Sequence, residues 1–375
     1  MKISQRELVE SAALNGIASD IADNLWRTLE ERAQWRPRFD LVHVLYYAGA
    51  LIVILAMSVF LTTAWSKIGA SALFSFAGLY AVLFLMLAEW MKGRPGLSVP
   101  TGLVATMAVV MVPLMIYALQ EWFHLWPADQ LPGTYHNFYA WVRSMWLQME
   151  LWTLIAGMLI FWRYQYPFIV LPIAVCLWFV SMDLAPLIVG SYPDLLNHAT
   201  ASKEEKDAYW ATVTTLLNLR KWVSLFFGAA MIALSYSIDR RTKQDYAFWI
   251  YLFGLMAFWG GLTTMDSTNE LGKFIYALIN FGLLGLGIFL GRRAFLVFGA
   301  LGITSYLGHL AFKIFENSLF FPVALVAFGL SMIGLGVFFY RHGKTWEAKI
   351  ISSLPTWMIG LRPQHRELPE IDRPV

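Results

Sequence analysis

The stretch that decides the fold class is residues 246–313, which read YAFWIYLFGLMAFWGGLTTMDSTNELGKFIYALINFGLLGLGIFLGRRAFLVFGALGITSYLGHLAFK. It contains three apolar runs, separated by a polar link at 263–273 and by the pair Arg292-Arg293. Each run has roughly the 20 residues that an α-helix needs to cross a lipid bilayer. The stretch therefore predicts three consecutive membrane-spanning helices.

The composition of the whole chain agrees with this prediction. Of its 375 residues, 58% are hydrophobic and only 14% are charged, whereas a soluble domain carries about 25% charged residues. The net charge of +3 is spread over short loops and gives no basis for binding nucleic acid. The single cysteine, Cys176, excludes an internal disulfide and a cysteine-rich metal site. We expect an all-α integral membrane protein whose main partner is the lipid bilayer.

The apolar runs along the chain predict about ten transmembrane helices. They lie at 42–64, 68–91, 98–120, 144–162, 164–189, 220–238, 246–264, 272–291, 293–314 and 318–340. Between the fourth and fifth runs the only charged residue is Arg163, so a re-entrant pair is an alternative there. If the N-terminus is cytosolic, 20 of the 28 Lys and Arg residues fall on the cytosolic side. This asymmetry predicts that both termini are cytosolic.

Three regions follow from this reading. Residues 1–40 are predicted to be a cytosolic helical hairpin, in which Ile17, Ile21, Leu25 and Leu29 share one face. Residues 41–341 form the transmembrane domain. Residues 342–375 are predicted to be an interfacial amphipathic segment followed by a disordered tail over the last fourteen residues. Residues 1–38 are the candidate docking site for a protein partner.

Two long loops are predicted to face outward. The loop 121–143 is rich in Trp, Tyr and Phe, which suits either the headgroup interface or a lid over a cavity. The loop 190–219 contains Ser202-Lys203-Glu204-Glu205-Lys206-Asp207, which is typical of the solvated start of a helix.

The candidate site residues are the polar groups placed inside or at the ends of the spans. They are Asp183, Glu150, His309, Asn280, Asp266 and Lys273. Ionisable groups inside a membrane are costly, and each is therefore a functional candidate. The predicted topology gathers them in the outer half, where Arg220 and Lys221 also open the sixth span. We expect a polar pocket on the extracytoplasmic side for a small polar solute, a proton or a cation, with no cofactor and no metal site.

Each candidate also has a structural alternative. Asn280 can hydrogen-bond between helices, His309 can be a packed histidine, and Asp266 can cap the eighth span. Asp183 is harder to explain by structure alone, because Pro186 lacks the amide that would bond the carbonyl of Met182. The other structural predictions concern the eighth and ninth spans: Ser267-Thr268-Asn269-Glu270 caps the eighth, Lys313 pairs with Glu316, and Gly287 and Gly291 let the two spans pack closely.

Several segments carry a resemblance to a known family. They are Leu14-Asn15-Gly16-Ile17, VLYYAGALIVILAM at 44–57, Thr63-Ala64-Trp65, FGALGITSYLGHL at 298–310 and SLFFPVAL at 318–325. They resemble the opening and closing parts of a widespread bacterial family of predicted multi-pass membrane proteins, a domain of unknown function. The resemblance implies a multi-pass protein of a bacterial inner (plasma) membrane. It transfers no activity and no site residues.

Three functions fit these observations. The first is a transporter or solute-binding protein with a pocket in the extracytoplasmic half. The second is a structural or accessory subunit of a membrane complex. The third is a membrane enzyme acting on a lipid-linked substrate, with Glu150 and Asp183 as acid and base. The sequence contains no phosphate loop, dinucleotide fingerprint or nucleophile signature, which disfavours an enzyme.

Overall fold

The computed structural model of the chain describes the helical regions and the short links between them. Described are residues 5–33, 41–94, 96–125, 144–189, 202–242, 244–265, 269–314, 323, 326, 329–330, 334, 337, 355 and 361–363. Over these residues the regular elements are helices, without a β-strand.

The described residues form eleven α-helices, which follow one another in chain order. They are α1 (Gln5–Leu14), α2 (Ser19–Ala33), α3 (Leu41–Ile68), α4 (Ala70–Met91), α5 (Ser98–Trp122), α6 (Ser144–Tyr164), α7 (Val170–Val189), α8 (Lys203–Arg241), α9 (Ala247–Thr264), α10 (Glu270–Leu290) and α11 (Arg293–Ile314). A short 3₁₀ helix, Pro167–Ile169, leads into α7.

Seven of these helices, α4 to α10, are long and apolar enough to cross a membrane. They coincide with the second to eighth predicted spans. The helices α3 and α11 lie where the first and ninth spans are predicted. The fourth and fifth spans correspond to α6 and α7, each of them long enough to cross, and the chain turns between them at Gln165, whose φ is 53°. The described part of the chain is an all-α membrane protein.

Helix α4 illustrates how these helices meet lipid. Val82, Met86 and Trp90 follow one another at four-residue spacing, with 54%, 64% and 56% of their surfaces exposed. Residues four apart share one face of a helix. The buried residues Leu73 and Ala77 lie on the side that packs against α5. An exposed apolar stripe of this kind is stable in a bilayer and costly in water.

Glycines allow the closest helix contacts in the bundle. A Cβ on Gly228 of α8 would lie 2.3 Å from the amide nitrogen of Phe258 of α9, so the two backbones touch there. Gly287 of α10 packs in the same way against Leu296 of α11, which confirms the predicted close packing of the eighth and ninth spans. Gly291 has another role: it ends α10 with a left-handed φ of 62°.

Helix α8 is longer than a bilayer requires. Its 39 residues extend roughly 58 Å at 1.5 Å per residue, against a full bilayer thickness of about 40–45 Å. It begins at the predicted solvated start, where the side chain of Ser202 accepts from the amide of Glu205, and the Glu205 carboxylate accepts from the amide of Ser202. Much of the loop predicted at 190–219 is therefore the first four turns of α8.

The chain divides into two compact units, Met1–Val53 and Ile54–Val375. In the first unit, α1 and α2 pack together and are joined at Gly16, whose φ is 70°. This helical pair occupies the position of the predicted hairpin. The unit boundary lies inside α3, further along the chain than the domain boundary at residue 40 that the sequence suggests.

We define two ends of the second unit. The upper end is where α7 and α9 finish and α10 begins. The lower end is where α8 and α10 finish and α11 begins. At the lower end a short C-terminal segment is docked: the hydroxyl of Tyr236 donates to the carbonyl of Leu361 over 2.7 Å, and Nε of Arg362 donates to the carbonyl of Phe289 over 2.9 Å. Arg362 and Pro363 are buried, although they begin the fourteen residues that were expected to be disordered.

Candidate functional site

Two carboxyl groups lie together inside the upper half of the bundle. Glu150 is near the start of α6 and Asp183 is near the end of α7, and these two helices pack against each other. Both residues are buried, with 7% and 8% of their surfaces exposed, and their charges interact. The structure therefore brings together two of the predicted site residues from neighbouring spans.

Arg220 of α8 is held beside this pair by a consequence of Pro186. A proline has no amide hydrogen, so the carbonyl four residues earlier loses its usual helical partner. That carbonyl belongs to Met182, and Nε of Arg220 donates to it over 3.3 Å. The guanidinium also interacts electrostatically with Asp183, the next residue. Pro186 thus explains why a cation lies next to the carboxyl pair.

The carboxyl pair is only partly compensated. One oxygen of Glu150, Oε2, is buried and makes no hydrogen bond to the described residues. Asp183 and Arg220 both lie in described helices, and their charges interact. The described residues include no direct ion pair between the two side chains. The thiol of Cys176, two turns before Asp183 on α7, also lies within range of the charge on Glu150. Buried charge that is left unpaired is costly, which makes this cluster a candidate functional site.

A cleft of about 560 Å³ adjoins the cluster between α7, α8 and α9. Its polar lining comprises Thr214, Asn218, Arg220, Lys221, Ser224 and Thr264. The α8 members at 214, 218, 221 and 224 follow helical spacing and so share one face. Arg220 borders both the cleft and the carboxyl pair. Its side chain lines the cleft, and its Nε donates to the carbonyl of Met182, the residue before Asp183.

Asn280 is placed in the packing between helices. It is fully buried, its Nδ2 donates to the carbonyl of Tyr276 over 2.8 Å, and its Oδ1 accepts from Nε1 of Trp259 on α9 over 3.2 Å. A Cβ on Gly302 of α11 would lie 1.9 Å from that same oxygen. The side chain is therefore enclosed by α9 and α11, as the structural alternative describes.

Lys273 belongs to an ion network at the start of α10. Its Nζ lies 3.1 Å from Oε1 of Glu270, which also pairs with Lys313 of α11. Lys313 was expected to pair with Glu316, which lies outside the described residues. The segment Ser267-Thr268-Asn269-Glu270 was expected to form a capping box for α10, but Asn269 takes the cap position, without a side-chain cap bond. Asp266 lies outside the described residues, as do the aromatic residues 126–143 of the expected lid.

His309 lies on α11, which packs against α10 and α9, whereas the carboxyl pair lies on α6 and α7. Its Nε2 is buried and has no hydrogen-bond partner among the residues that the structure describes. The five predicted site residues that the structure describes are thus divided between one carboxyl pair and separate positions on α10 and α11. Among the described residues, no three His, Cys, Asp or Glu side chains come together as a metal site would require.

Sequence reasoning missed a second polar cluster at the lower end. Arg292, between α10 and α11, donates from Nε to Asp239 Oδ2 over 3.1 Å and from Nη2 to Asp239 Oδ1 over 2.6 Å. Its Nη1 donates to Asp245 Oδ1 over 2.5 Å, and its guanidinium carbon lies 5.3 Å from the ring centre of Tyr251. Asp239 is fully buried and Arg292 is 4% exposed. The cluster joins the α8–α9 hairpin to the α10–α11 hairpin.

The electrostatics of this second cluster are those of a closed ion network. Burial opposes the charge on Arg292, but its hydrogen bonds and the negative charges of Asp239 and Asp245 outweigh that effect and raise its pKa. The guanidinium therefore stays charged at any physiological pH. A signal was present in the sequence, since Arg292 follows the C-cap glycine of α10 and Asp239 lies in the last turn of α8. The sequence analysis placed Arg292 at a predicted cytosolic boundary, where positive residues usually remain in solvent. The ion pair between Arg292 and Asp239 was therefore not predicted.

No family model, curated protein or solved structure matches this chain.

Proposed function

We infer that the protein is a membrane transporter or solute-binding protein, in which Glu150 and Asp183 exchange a proton or cation and the adjoining cleft receives a polar solute. The observation that carries this is the juxtaposition of two buried carboxyl groups with the cleft, inside helices that are long and apolar enough to span a membrane. Small-molecule sites usually have volumes of about 300–1,000 Å³. The cleft of about 560 Å³ falls within that range.

The chemistry of the carboxyl pair supports this function. Two like charges in a low-dielectric environment repel, and binding a proton or a cation between them relieves that repulsion. Carboxyl groups of this kind mark proton and ion paths in membrane proteins. A purely structural pair would gain from full hydrogen bonding, yet Oε2 of Glu150 has no such bond among the described residues.

Arg220 supplies a physical connection between the two parts of the site. It borders the cleft, it donates to the carbonyl of Met182, and its charge acts on Asp183. A solute that alters the position or charge balance of Arg220 also alters the field at Asp183. We therefore place Arg220 in the proposed site and leave out Asn280 and Lys273, whose polar groups are used in helix packing and in an ion network.

The membrane topology is part of this proposal. We propose ten spans with both termini in the cytosol of a bacterial cell, in its inner (plasma) membrane. The distribution of 20 of the 28 Lys and Arg residues on one side supports the orientation, and the family resemblance supports the compartment. In this orientation the upper end, with the carboxyl pair and the cleft, faces outward, and the Arg292 cluster faces the cytosol.

A flux measurement tests the proposed function. The protein is reconstituted into liposomes that contain a pH-sensitive dye, and a panel of small polar solutes is added outside. We expect at least one solute to cause proton movement in the parent and none in the double variant Glu150→Gln/Asp183→Asn. The matched control is Glu204→Gln/Asp207→Asn, which neutralises the same two residue types on the exposed start of α8. Equal, solute-independent traces for the parent and the double variant would contradict the proposal.

The second candidate, an accessory subunit, is favoured by one specific observation. In the first unit, Ile17, Ile21 and Leu25 are 45%, 58% and 51% exposed around the amphipathic helix α2. Such a stripe is suited to docking on a partner helix. Purification in mild detergent tests this: a stoichiometric partner should be present with the full chain and absent after deletion of residues 1–38. Retention of the partner by the deletion variant would contradict the accessory role of this region.

A further inference from the structure

We propose that the solute of the cleft is an organic anion, with its carboxylate or phosphate group against Arg220 and its carbon skeleton against the apolar wall. This inference rests on the proposed function and names the chemical class of its ligand.

The charge of the cleft carries the first step. Arg220 and Lys221 are consecutive on α8, and both line the cleft. Over its described lining the cleft contains two cationic side chains and no acidic one. The carboxyl group of Asp183 interacts electrostatically with Arg220, but Asp183 is not among the described lining residues of the cleft. An anionic group in the cleft would therefore meet the positive charge of Arg220, which forms no direct ion pair with a described residue, at close range.

The hydrogen-bond donors of the cleft carry the second step. The hydroxyl hydrogens of Thr214, Ser224 and Thr264 are donated to backbone carbonyls, over 2.7, 2.9 and 2.7 Å. Arg220 and the amide of Asn218, which also line the cleft, carry donors that can face a ligand. Arg220 uses Nε on the Met182 carbonyl, and its two Nη groups make no hydrogen bond to the described residues. A guanidinium presents five N–H donors in a planar fork that matches a carboxylate or phosphate.

The contrast with Arg292 carries the third step. Arg292 is held by three hydrogen bonds to two aspartates, whose negative charges already balance its own. Arg220 is half-buried and forms no direct ion pair within the described helices. A half-buried arginine without an ion-pair partner is a ready site for an anion, because the charge is desolvated and its fork is open.

The opposite wall of the cleft explains why the ligand is organic. Trp178 and Met182 lie one turn apart on α7, and Leu217 of α8 and Met256 of α9 complete an apolar surface. The ring of Trp178 is fixed by Phe253, whose centroid lies 5.8 Å away. Ligand sites combine such apolar walls with a few polar anchors. An inorganic anion would leave this surface empty.

Paired variants test the inference. Arg220 is neutralised together with Asp183, so that the loss of the guanidinium does not leave the Asp183 carboxylate uncompensated. Asp183→Asn removes the carboxylate that competes for Arg220, so anion affinity should be maintained or increased. Arg220→Gln/Asp183→Asn keeps the local charge balanced but removes the fork, and the Kd for the anion should rise about tenfold or more, as expected for the loss of a charged hydrogen bond. Arg241→Gln, at the exposed opposite end of α8, is the matched arginine control and should bind as the parent does.

A cleft-filling variant provides an independent readout. Gly260 lines the cleft, and a Cβ added there meets nothing within 4 Å. Gly260→Leu should therefore fold as the parent does and block the anion. Binding is measured by thermal shift and calorimetry in detergent. The probes are succinate and glycerol 3-phosphate, their neutral counterparts succinamide and glycerol, and the dication 1,4-diaminobutane.

Each outcome decides one question. Binding of the anionic probes alone, lost in Arg220→Gln/Asp183→Asn and in Gly260→Leu, supports the inference. Binding of the neutral or cationic probes, unchanged in Arg220→Gln/Asp183→Asn, overturns it while leaving the proposed function in place. If no probe binds and proton flux is the same in the parent and Glu150→Gln/Asp183→Asn, the proposed function itself fails. Nanodiscs with and without phosphatidylglycerol separate a lipid phosphate from a free anion: stabilisation by this lipid alone, with no free anion binding, overturns the soluble ligand.

Discussion

The two polar clusters of this bundle differ in how completely their charges are paired. At the lower end, the guanidinium of Arg292 donates three hydrogen bonds to Asp239 and Asp245, one from each of its nitrogens. At the upper end, Arg220 acts on Asp183 from a distance and Oε2 of Glu150 is unpartnered within the described residues. A complete network stabilises one arrangement of helices, whereas an incomplete one retains capacity for a proton or a ligand. The first cluster is therefore architectural and the second is the candidate for chemistry.

The largest effect should come from breaking the complete network. Arg292→Gln removes the cation that pairs with the buried Asp239 and the partly exposed Asp245, and removing one partner of a buried ion pair costs about 3–5 kcal/mol. The free energy of unfolding, measured by SDS titration, should fall by that amount. The neighbouring Arg293→Gln is the control, because Arg293 is exposed and its loss should change stability by less than about 0.5 kcal/mol. Equal losses for the two variants would show that the Arg292 network is not architectural.

Two adjacent glycines distinguish helix packing from the open cleft. A Cβ on Gly261 would lie 2.7 Å from the backbone carbonyl oxygen of Lys221, while one on Gly260 would meet nothing within 4 Å. Gly261→Ala should lower the free energy of unfolding by about 1–3 kcal/mol through overpacking. Gly260→Ala should leave it unchanged or raise it by up to about 1 kcal/mol, since alanine is the better helix former. The reverse order of stabilities would contradict the cleft geometry.

The packing role of Asn280 predicts a smaller effect with a specific signature. Asn280→Ala leaves Nε1 of Trp259 without its acceptor, and interhelical hydrogen bonds in membranes contribute about 0.6–1.7 kcal/mol. We expect a loss of about that size in thermal or SDS unfolding, with solute binding unchanged. Abolished binding at full stability would return Asn280 to the solute site, as the sequence alone suggested.

Neutralising the incomplete cluster should have the smallest effect on stability and the largest on function. Asp183→Asn removes a buried charge that lacks a direct ion-pair partner among the described residues, and because such a charge is costly, the free energy of unfolding should not fall. The same variant should lose solute-dependent proton movement in liposomes. A loss of stability comparable to that of Arg292→Gln would place both clusters in the same architectural class.

The sequence also predicted part of the candidate site, and the reason is local. Glu150 and Asp183 are conspicuous because a carboxyl group inside an apolar run needs a specific explanation. Their positions, near the start of one span and the end of the next, place them at the same depth once the two helices are antiparallel neighbours. Pro186 predicted that the carbonyl of Met182 lacks its helical partner. The sequence of α7 alone could not predict that Arg220 of α8 would donate to this carbonyl.

The sequence analysis grouped Asn280, Lys273 and His309 with the carboxyl pair because all were predicted at a similar depth in the membrane. A similar depth was not sufficient to predict a common site. Residues at one depth in a membrane lie in one plane, but the plane is wider than a site. The structure divides them because α10 and α11 pack on α9, away from the α6–α7 pair. Helix adjacency depends on which surfaces fit, as between Gly228 and Phe258, and such fits involve residues far apart in the chain.

What the sequence determines by itself is the class of the protein: apolar runs of bilayer length require helices, because in lipid each backbone amide and carbonyl must be satisfied within its own segment. What only the tertiary structure decides is which polar groups meet. Arg292 reaches Asp239 across 53 positions, and Arg220 reaches Met182 across 38. Pairing of this kind depends on distance and desolvation after packing, so the same residue types become a closed ion network at one end and an open site at the other.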